Sequence, residues 1–230
     1  MRIAETILDI VYPPTCLSCG KDGFWVCQKC MDQSPLFHHA YCPRCGQESH
    51  EEICEKKYSF DSLLHMGPYA DPLWRLMVTR FKYKSARCLE RAFVTRLQQY
   101  RESFLDAWPW SGCSTLTVVP VPSSSTRVRE RGFAHTDLLA QWIQQTLVPW
   151  ARVSTPLKRT HAHFANAQLP SDAYRQANVS NAFVCETPVA DPVLLIDDVF
   201  TTGATVASAA EALRRAGAPT IHVLTFTAGR

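Results

Sequence analysis

A chain of 230 residues, 46% of them apolar, has material for one sizeable core and a small accessory module. Its 24 lysines and arginines against 21 acids leave a net charge of +3, which excludes nucleic-acid binding through bulk charge alone and leaves only local clusters to do it. No apolar run is long enough to span a bilayer, and Glu5 and Asp9 interrupt the only early apolar stretch, so no signal peptide is expected.

From the N-terminus, Ile3, Ile7 and Ile10 or Val11 fall at helical spacing and predict a short amphipathic helix. The chain then becomes rich in cysteine: of ten, seven lie between Cys16 and Cys54. Paired C-x-x-C spacing argues for metal rather than disulfides, and a reducing cytoplasm is the expected compartment. Cys16, Cys19, Cys27 and Cys30 have the form C-x2-C-x7-C-x2-C. Four thiolates match a closed structural Zn2+ site; four free thiols or an iron–sulfur cluster are the alternatives. Cys42 and Cys45 open a second knuckle and Cys54 follows, but Lys57 stands where a fourth cysteine would complete it. His50 could supply a nitrogen, as could His38 or His39. A degenerate second site without metal is equally compatible with the spacing, and an interleaved pairing of Cys16/Cys19 with Cys42/Cys45 is a third option. A closed site has no open coordination position, so no catalysis is assigned to it.

The composition breaks near residue 60, which predicts an N-terminal helix and Cys-rich module over 1–58 and an α/β domain over 59–230. So apolar-poor a segment needs a metal staple. A turn is expected at 69–72, then helices over 73–81 and 86–100 and a loop at 105–114. The first helix interleaves Arg75, Arg80, Lys82, Lys84 and Arg87 with Trp74, Phe81 and Tyr83. Those rings either stack nucleic-acid bases or pack inward. A strand over 116–121 ends in Pro120 and Pro122. Residues 123–132 are polar and read as a mobile loop. A helix follows over 136–147, then a long surface loop over 158–180 with His161 and His163, and a short strand at 183–184. Strand 193–196, helix 206–216 stopped by Gly217, and strand 220–226 compose a βαβ unit.

The most telling stretch is V-L-L-I-D-D-V-F-T-T-G-A-T at 193–205. A buried strand delivers two acids to its end, and a small-residue loop leads into a helix. Backbone N–H groups at a helix N-terminus attract phosphate, and ionised carboxylates accept from hydroxyls. The pattern resembles the phosphoribosyl pyrophosphate (PRPP) signature of the type I phosphoribosyltransferase fold. The resemblance implies Asp197 and Asp198 on the ribose diol and Thr201, Thr202, Gly203, Ala204 and Thr205 around the 5'-phosphate. Removing Asp198 is expected to leave the core undisturbed, and bulk at Gly203 to block the phosphate. PRPP also carries a pyrophosphate with Mg2+. Val121, Pro122 and Ser123 end a predicted strand and fit a pyrophosphate loop, with Lys82, Arg127, Arg129 and Arg131 as basic partners.

Beyond this motif, Y-P-P-T-C-L-S-C-G near the start, F-K-Y at 81–83, V-P-V-P at 119–122, R-E-R-G-F at 129–133 and R-Q-A-N-V-S-N-A-F at 175–183 resemble the ComF family. Where that family usually reads R-G-F-N-Q, this chain has Ala134 and His135. The resemblance implies a type I phosphoribosyltransferase-like parallel sheet flanked by helices, preceded by a small zinc-ribbon module. It also implies a cytoplasmic role in handling single-stranded DNA during natural transformation, with DNA-uptake or helicase machinery as partners. An active phosphoribosyltransferase on a base or amine, and a zinc scaffold with a vestigial sugar-phosphate site, are the competing readings. No Ser-His-Asp arrangement is recognisable in the sequence.

Overall fold

The computed structural model describes residues 13–37, 41, 58–83, 86–106, 114–160 and 182–229. The expected N-terminal helix, the second group of metal ligands (Cys42, Cys45, His50, Cys54, with His38 and His39) and residues 161–180 of the expected 158–180 loop lie outside them; Lys158 and Arg159, expected in that loop, belong instead to a short strand. The order is α1 (Gln28–Gln33), β1 (Ser62–Pro68), α2 (Pro72–Tyr83), α3 (Ala86–Asp106), β2 (Thr117–Pro120), α4 (Ser125–Arg131) and α5 (His135–Thr146). Then come β3 (Arg152–Val153), β4 (Leu157–Arg159), β5 (Phe183–Cys185), β6 (Val193–Phe200), α6 (Ala204–Arg215) and β7 (Ile221–Ala228).

Five strands form one sheet in the order β1-β7-β6-β2-β3, and every pair in it is parallel. The reason is legible in β6. Its Val193–Ile196 run is apolar at every position, because a parallel strand covered on both faces needs no polar side. Leu194 and Ile196 join Leu64, Val118 and Phe226 in the core on one face, under α2, α3 and α5. Val193 and Leu195 join Leu63, Val119 and Val223 in the core on the other, under α6 and the antiparallel β4–β5 pair.

On the first face, α2 buries Leu73, Trp74, Met77, Val78 and Phe81, a helical stripe. Phe93 of α3 sits 4.8 Å from Phe226 and 5.0 Å from Phe81, centroid to centroid. Trp74 and Phe81 are therefore core residues, 0% and 1% exposed, and are not available to stack on bases. Arg75 and Arg80 of the same helix are exposed.

The segment expected to be a mobile loop is instead α4. The Ser124 hydroxyl accepts from the Arg127 N–H at its start, and Gly132, at φ 80°, closes its end. These two caps organise a sequence that has almost no apolar face.

Gly67 of β1 lies directly against the Trp74 ring of α2. A Cβ there would lie 1.9 Å from Trp74 Nε1, and Trp74 cannot retreat, since that nitrogen donates to the Pro35 carbonyl at 2.8 Å. Gly67→Ala is expected to destabilise the fold by about 1–3 kcal/mol through overpacking, read from the urea midpoint at unchanged slope.

Candidate functional site

Among the described residues two constellations carry chemistry, and the first is the cysteine module. A Thr15–Asp22 bridge and the Gly20 N–H donating to the Cys16 carbonyl at 2.9 Å shape the first knuckle. Cys27 sits at the N-cap of α1, and α1 carries Cys30 inward. The sulfurs of Cys16, Cys19, Cys27 and Cys30 all lie within 4.8 Å of one another, with Cys19 and Cys27 at 3.6 Å. Tetrahedral zinc with bonds of about 2.3 Å requires sulfurs about 3.8 Å apart, so the set fits the ion. The interleaved pairing is not needed, because the first four cysteines converge by themselves.

Their acidities fit too. Burial raises the Cys16 thiol, but the backbone N–H groups of Cys19, Cys27 and Ser18 outweigh it and bring it to about 6. The Ser18 hydroxyl lowers Cys30, but burial and the crowding sulfurs of Cys19, Cys27 and Cys16 push it up to about 12. A dication is what allows all four to be thiolates together. The module is also anchored. The Ser34 hydroxyl donates to Asp71 at 2.7 Å, and the buried guanidinium of Arg96 donates to the Ser34 carbonyl at 3.0 Å while lying over the Trp74 ring.

The second constellation is a cleft of about 430 Å³ at the carboxyl edge of the sheet. β2 pairs with β6 only as far as Pro120–Ile196, whereas β7 continues beside β6 to Ala228–Phe200. The chain leaves β2 toward β3 on one side while β6 lies on the other, so the strand order reverses at this point. In open α/β sheets ligands bind there. The strand carrying the acids is longer than expected: Asp197 and Asp198 lie within β6, which ends at Phe200.

The two acids are not equivalent. Asp198 is 6% exposed, and its Oδ2 accepts from His135 Nε2 at 2.6 Å and from Lys82 Nζ at 2.9 Å. Burial raises its pKa, but the hydrogen bond from His135 and the charge of Lys82 win, and the carboxyl falls below the usual range. Asp197 is half-buried and accepts the Asp198 N–H at 2.9 Å. Burial, then the neighbouring Asp198 charge, pushes it up to about 7. Asp197 is thus the carboxyl that a ligand can still reorganise.

Around the cleft, Thr201 and Thr205 face it from the loop, Val121, Pro122 and Ser123 from the segment after β2, and Arg127 from α4. Thr202 instead serves the loop itself: its carbonyl accepts from the Tyr58 hydroxyl at 2.9 Å, and its own hydroxyl from the Ala204 N–H at 3.4 Å. Gly203 and Ala204 line an adjoining niche of about 20 Å³ at the start of α6. Gly203 has φ 77°, and a Cβ there would lie 2.7 Å from the Phe200 ring, so bulk at this position strains the loop before it meets any ligand. Lys82 lines the cleft as well as holding Asp198, whereas Arg129 is exposed outside the lining.

Sequence reasoning missed three residues here. His135 was noted only as a departure from the R-G-F-N-Q pattern. Arg159 arrives on the β4–β5 pair, stacked 4.8 Å over Phe183, with its Nε donating to the Pro122 carbonyl; no local signal foretells that approach. Tyr58 stacks on Phe60 at 5.0 Å and props the Thr202 loop from the start of the larger unit. Its aromatic spacing from Phe60 was the available hint.

Mixed α/β topology with a parallel sheet, an acidic pair at its reversal point and a four-cysteine module ahead of it define a phosphoribosyltransferase-like fold joined to a zinc ribbon. Residues 7–58 match the double zinc ribbon domain family. The DNA utilization protein YhgH of Escherichia coli O157:H7 is 30% identical over 218 residues, covering 87% of this chain and 89% of its own. Competence protein F of Haemophilus influenzae is 28% identical over 222 residues, covering 90% and 91%. The chain belongs to the ComF family. The solved allosteric regulatory enzyme of purine biosynthesis overlays 64% of this chain and 30% of its own, at 18% identity and TM-score 0.39. The fold assignment rests on the sheet itself. Among the described residues, no helix is long and apolar enough to cross a membrane.

Two outcomes are expected. A Cys16→Ser/Cys19→Ser double variant loses the zinc of this site, read by elemental analysis, because removing two of four thiolates opens the shell; full retention rejects the ligand set. Asp198→Ala leaves Lys82 without its counter-charge and the buried His135 Nε2 without its acceptor, contrary to the expectation of an undisturbed core. It should cost about 2 kcal/mol in urea unfolding, less than the ~3–5 kcal/mol of a fully buried pair because the Lys82 side chain is 26% exposed.

Proposed function

We propose that the cleft binds PRPP, and that the protein uses it while handling single-stranded DNA during DNA uptake. The observation that carries the first part is the reversal-point cleft, framed by Asp197, the Thr201–Thr205 loop and the start of α6. In this reading the ribose 5'-phosphate lies against the loop, where N–H groups of α6 and the Thr201 and Thr205 hydroxyls donate to it. Asp197 accepts from the ribose diol, which favours its ionised form. The pyrophosphate, as its Mg2+ complex, lies toward Ser123, Arg127 and Arg159, and guanidinium groups suit its oxygens. Asp198 works through Lys82 and His135, holding both at the cleft wall.

The second part is supported by the relatives, whose names speak of competence and DNA utilization. With Trp74 and Phe81 buried, DNA contact falls to exposed basic groups such as Arg75, Arg80 and the Arg127–Arg129 stretch of α4. Such contact is electrostatic and weakens steeply with salt. Pyrophosphate release from PRPP, measured with and without single-stranded DNA or a base acceptor, separates transfer from binding alone.

Calorimetric titration with PRPP and Mg2+ tests the site. The wild type should bind. Asp197→Asn should weaken binding by about 1.5–3 kcal/mol through loss of charge-assisted hydrogen bonds, and Gly203→Val should abolish it. A wild type that binds no PRPP, or an Asp197→Asn variant that binds as well, rejects the reading.

A further inference from the structure

Ser123, His135 and Asp198 form a continuous hydrogen-bonded row. Ser123 Oγ is 3.1 Å from His135 Nδ1, and His135 Nε2 is 2.6 Å from Asp198 Oδ2. A carboxylate only accepts, so Nε2 carries a proton in either state of the ring. What changes on protonation is Nδ1. With the imidazole neutral, Nδ1 accepts the Ser123 O–H, and the serine turns lone pairs toward the cleft. With it protonated, Nδ1–H donates to Ser123 Oγ, the hydroxyl swings outward as a donor, and the wall gains one positive charge. His135 lines the cleft beside Ser123 but is only 6% exposed, so Ser123 is the more open of the two toward a ligand.

We infer that this row is a proton-gated subsite for a pyrophosphate group, in which anion binding takes up one proton at His135 and turns Ser123 into a donor. It rests on the PRPP reading of the cleft. Charged groups on several elements bear on the ring. Asp198 of β6 and Asp137 of α5 favour the imidazolium, and Lys82 of α2 opposes it through the shared carboxylate. The Phe81 ring, 6.2 Å away centroid to centroid, is neutral. Arg127 of α4 and Arg159 of β4 line the same cleft and oppose protonation until an anion arrives to screen them, and Asp197 of β6 favours it once ionised. An entering anion therefore moves His135 toward its charged form, and by reciprocity the charged form binds the anion more tightly.

Inorganic pyrophosphate is the probe, because it lacks the ribose whose diol would couple to Asp197. Its affinity is measured between pH 6 and pH 8.5 by calorimetry for the wild type, His135→Gln and Ser123→Ala. The ligand titrates in this range, so the difference between proteins is what is read. Wild-type affinity should fall more steeply than that of His135→Gln, by up to about tenfold per pH unit at the upper end, as one linked proton requires. Ser123→Ala should bind several-fold more weakly at pH 6 and lose most of that deficit at pH 8.5. The imidazole signal of His135 in the wild type, followed by NMR against pH, should move its midpoint upward when pyrophosphate is added. Equal slopes in wild type and His135→Gln, or an unmoved midpoint with pyrophosphate bound, overturn the inference and leave the PRPP reading standing. No binding at any pH overturns both.

Discussion

The carboxylate of Asp198 is the point on which the cleft turns. A buried anion is costly unless it is paired, and its two partners come from different helices: Lys82 from the end of α2 and His135 from the start of α5. One side chain thus fastens both helices to the strand that presents the acids. Its charge also adds to the effect of burial in raising the pKa of its neighbour. With Asp198 held ionised, Asp197 is the member of the pair whose charge remains open to adjustment by a ligand.

The same helix reaches the cysteine module. The start of α2 is held by Asp71, which accepts both the Trp74 N–H and the Ser34 hydroxyl, while its far end holds Lys82. Cys16, Cys27, Cys30 and Met31 pack into the same core as Trp74, Met77 and Phe93. The zinc-ribbon segment is thus fastened to α2 by packing and hydrogen bonds, one rigid helix away from the cleft, even though its composition reads as a separate unit. The expected break near residue 60 is a break in composition that the packing bridges.

How much of this the residues disclose by themselves depends on range. The β6–α6–β7 unit is readable because each signal is local: an unbroken apolar run, the acid pair, and a glycine at each end of the helix. The four-cysteine set is readable because both pairs have knuckle spacing. α4 was missed because its helicity comes from two caps rather than an apolar stripe. Trp74 and Phe81 were open to two readings because basic neighbours interleave them in sequence, and only the packing of α3 and β7 against one side decides which way they face. The row from Ser123 to Asp198 joins residues 12 and 63 positions apart. Nothing in either neighbourhood announces it.

The place of β1 in the sheet bears on how the chain can be made. Among the described strands β1 lies at the edge of the sheet and pairs with β7, so Ser62 meets His222 and Gly67 meets Thr227. Tyr41 covers its other side through a bridge to Leu63. During synthesis β1 emerges long before its partner exists. Closing so long a loop is slow, and an unpaired apolar strand is an aggregation hazard while it waits. The cysteine knuckles close over short loops and need only a metal ion. The N-terminal segment can therefore organise first and lie against one side of β1, shielding it on the nascent chain until β7 arrives to take the other.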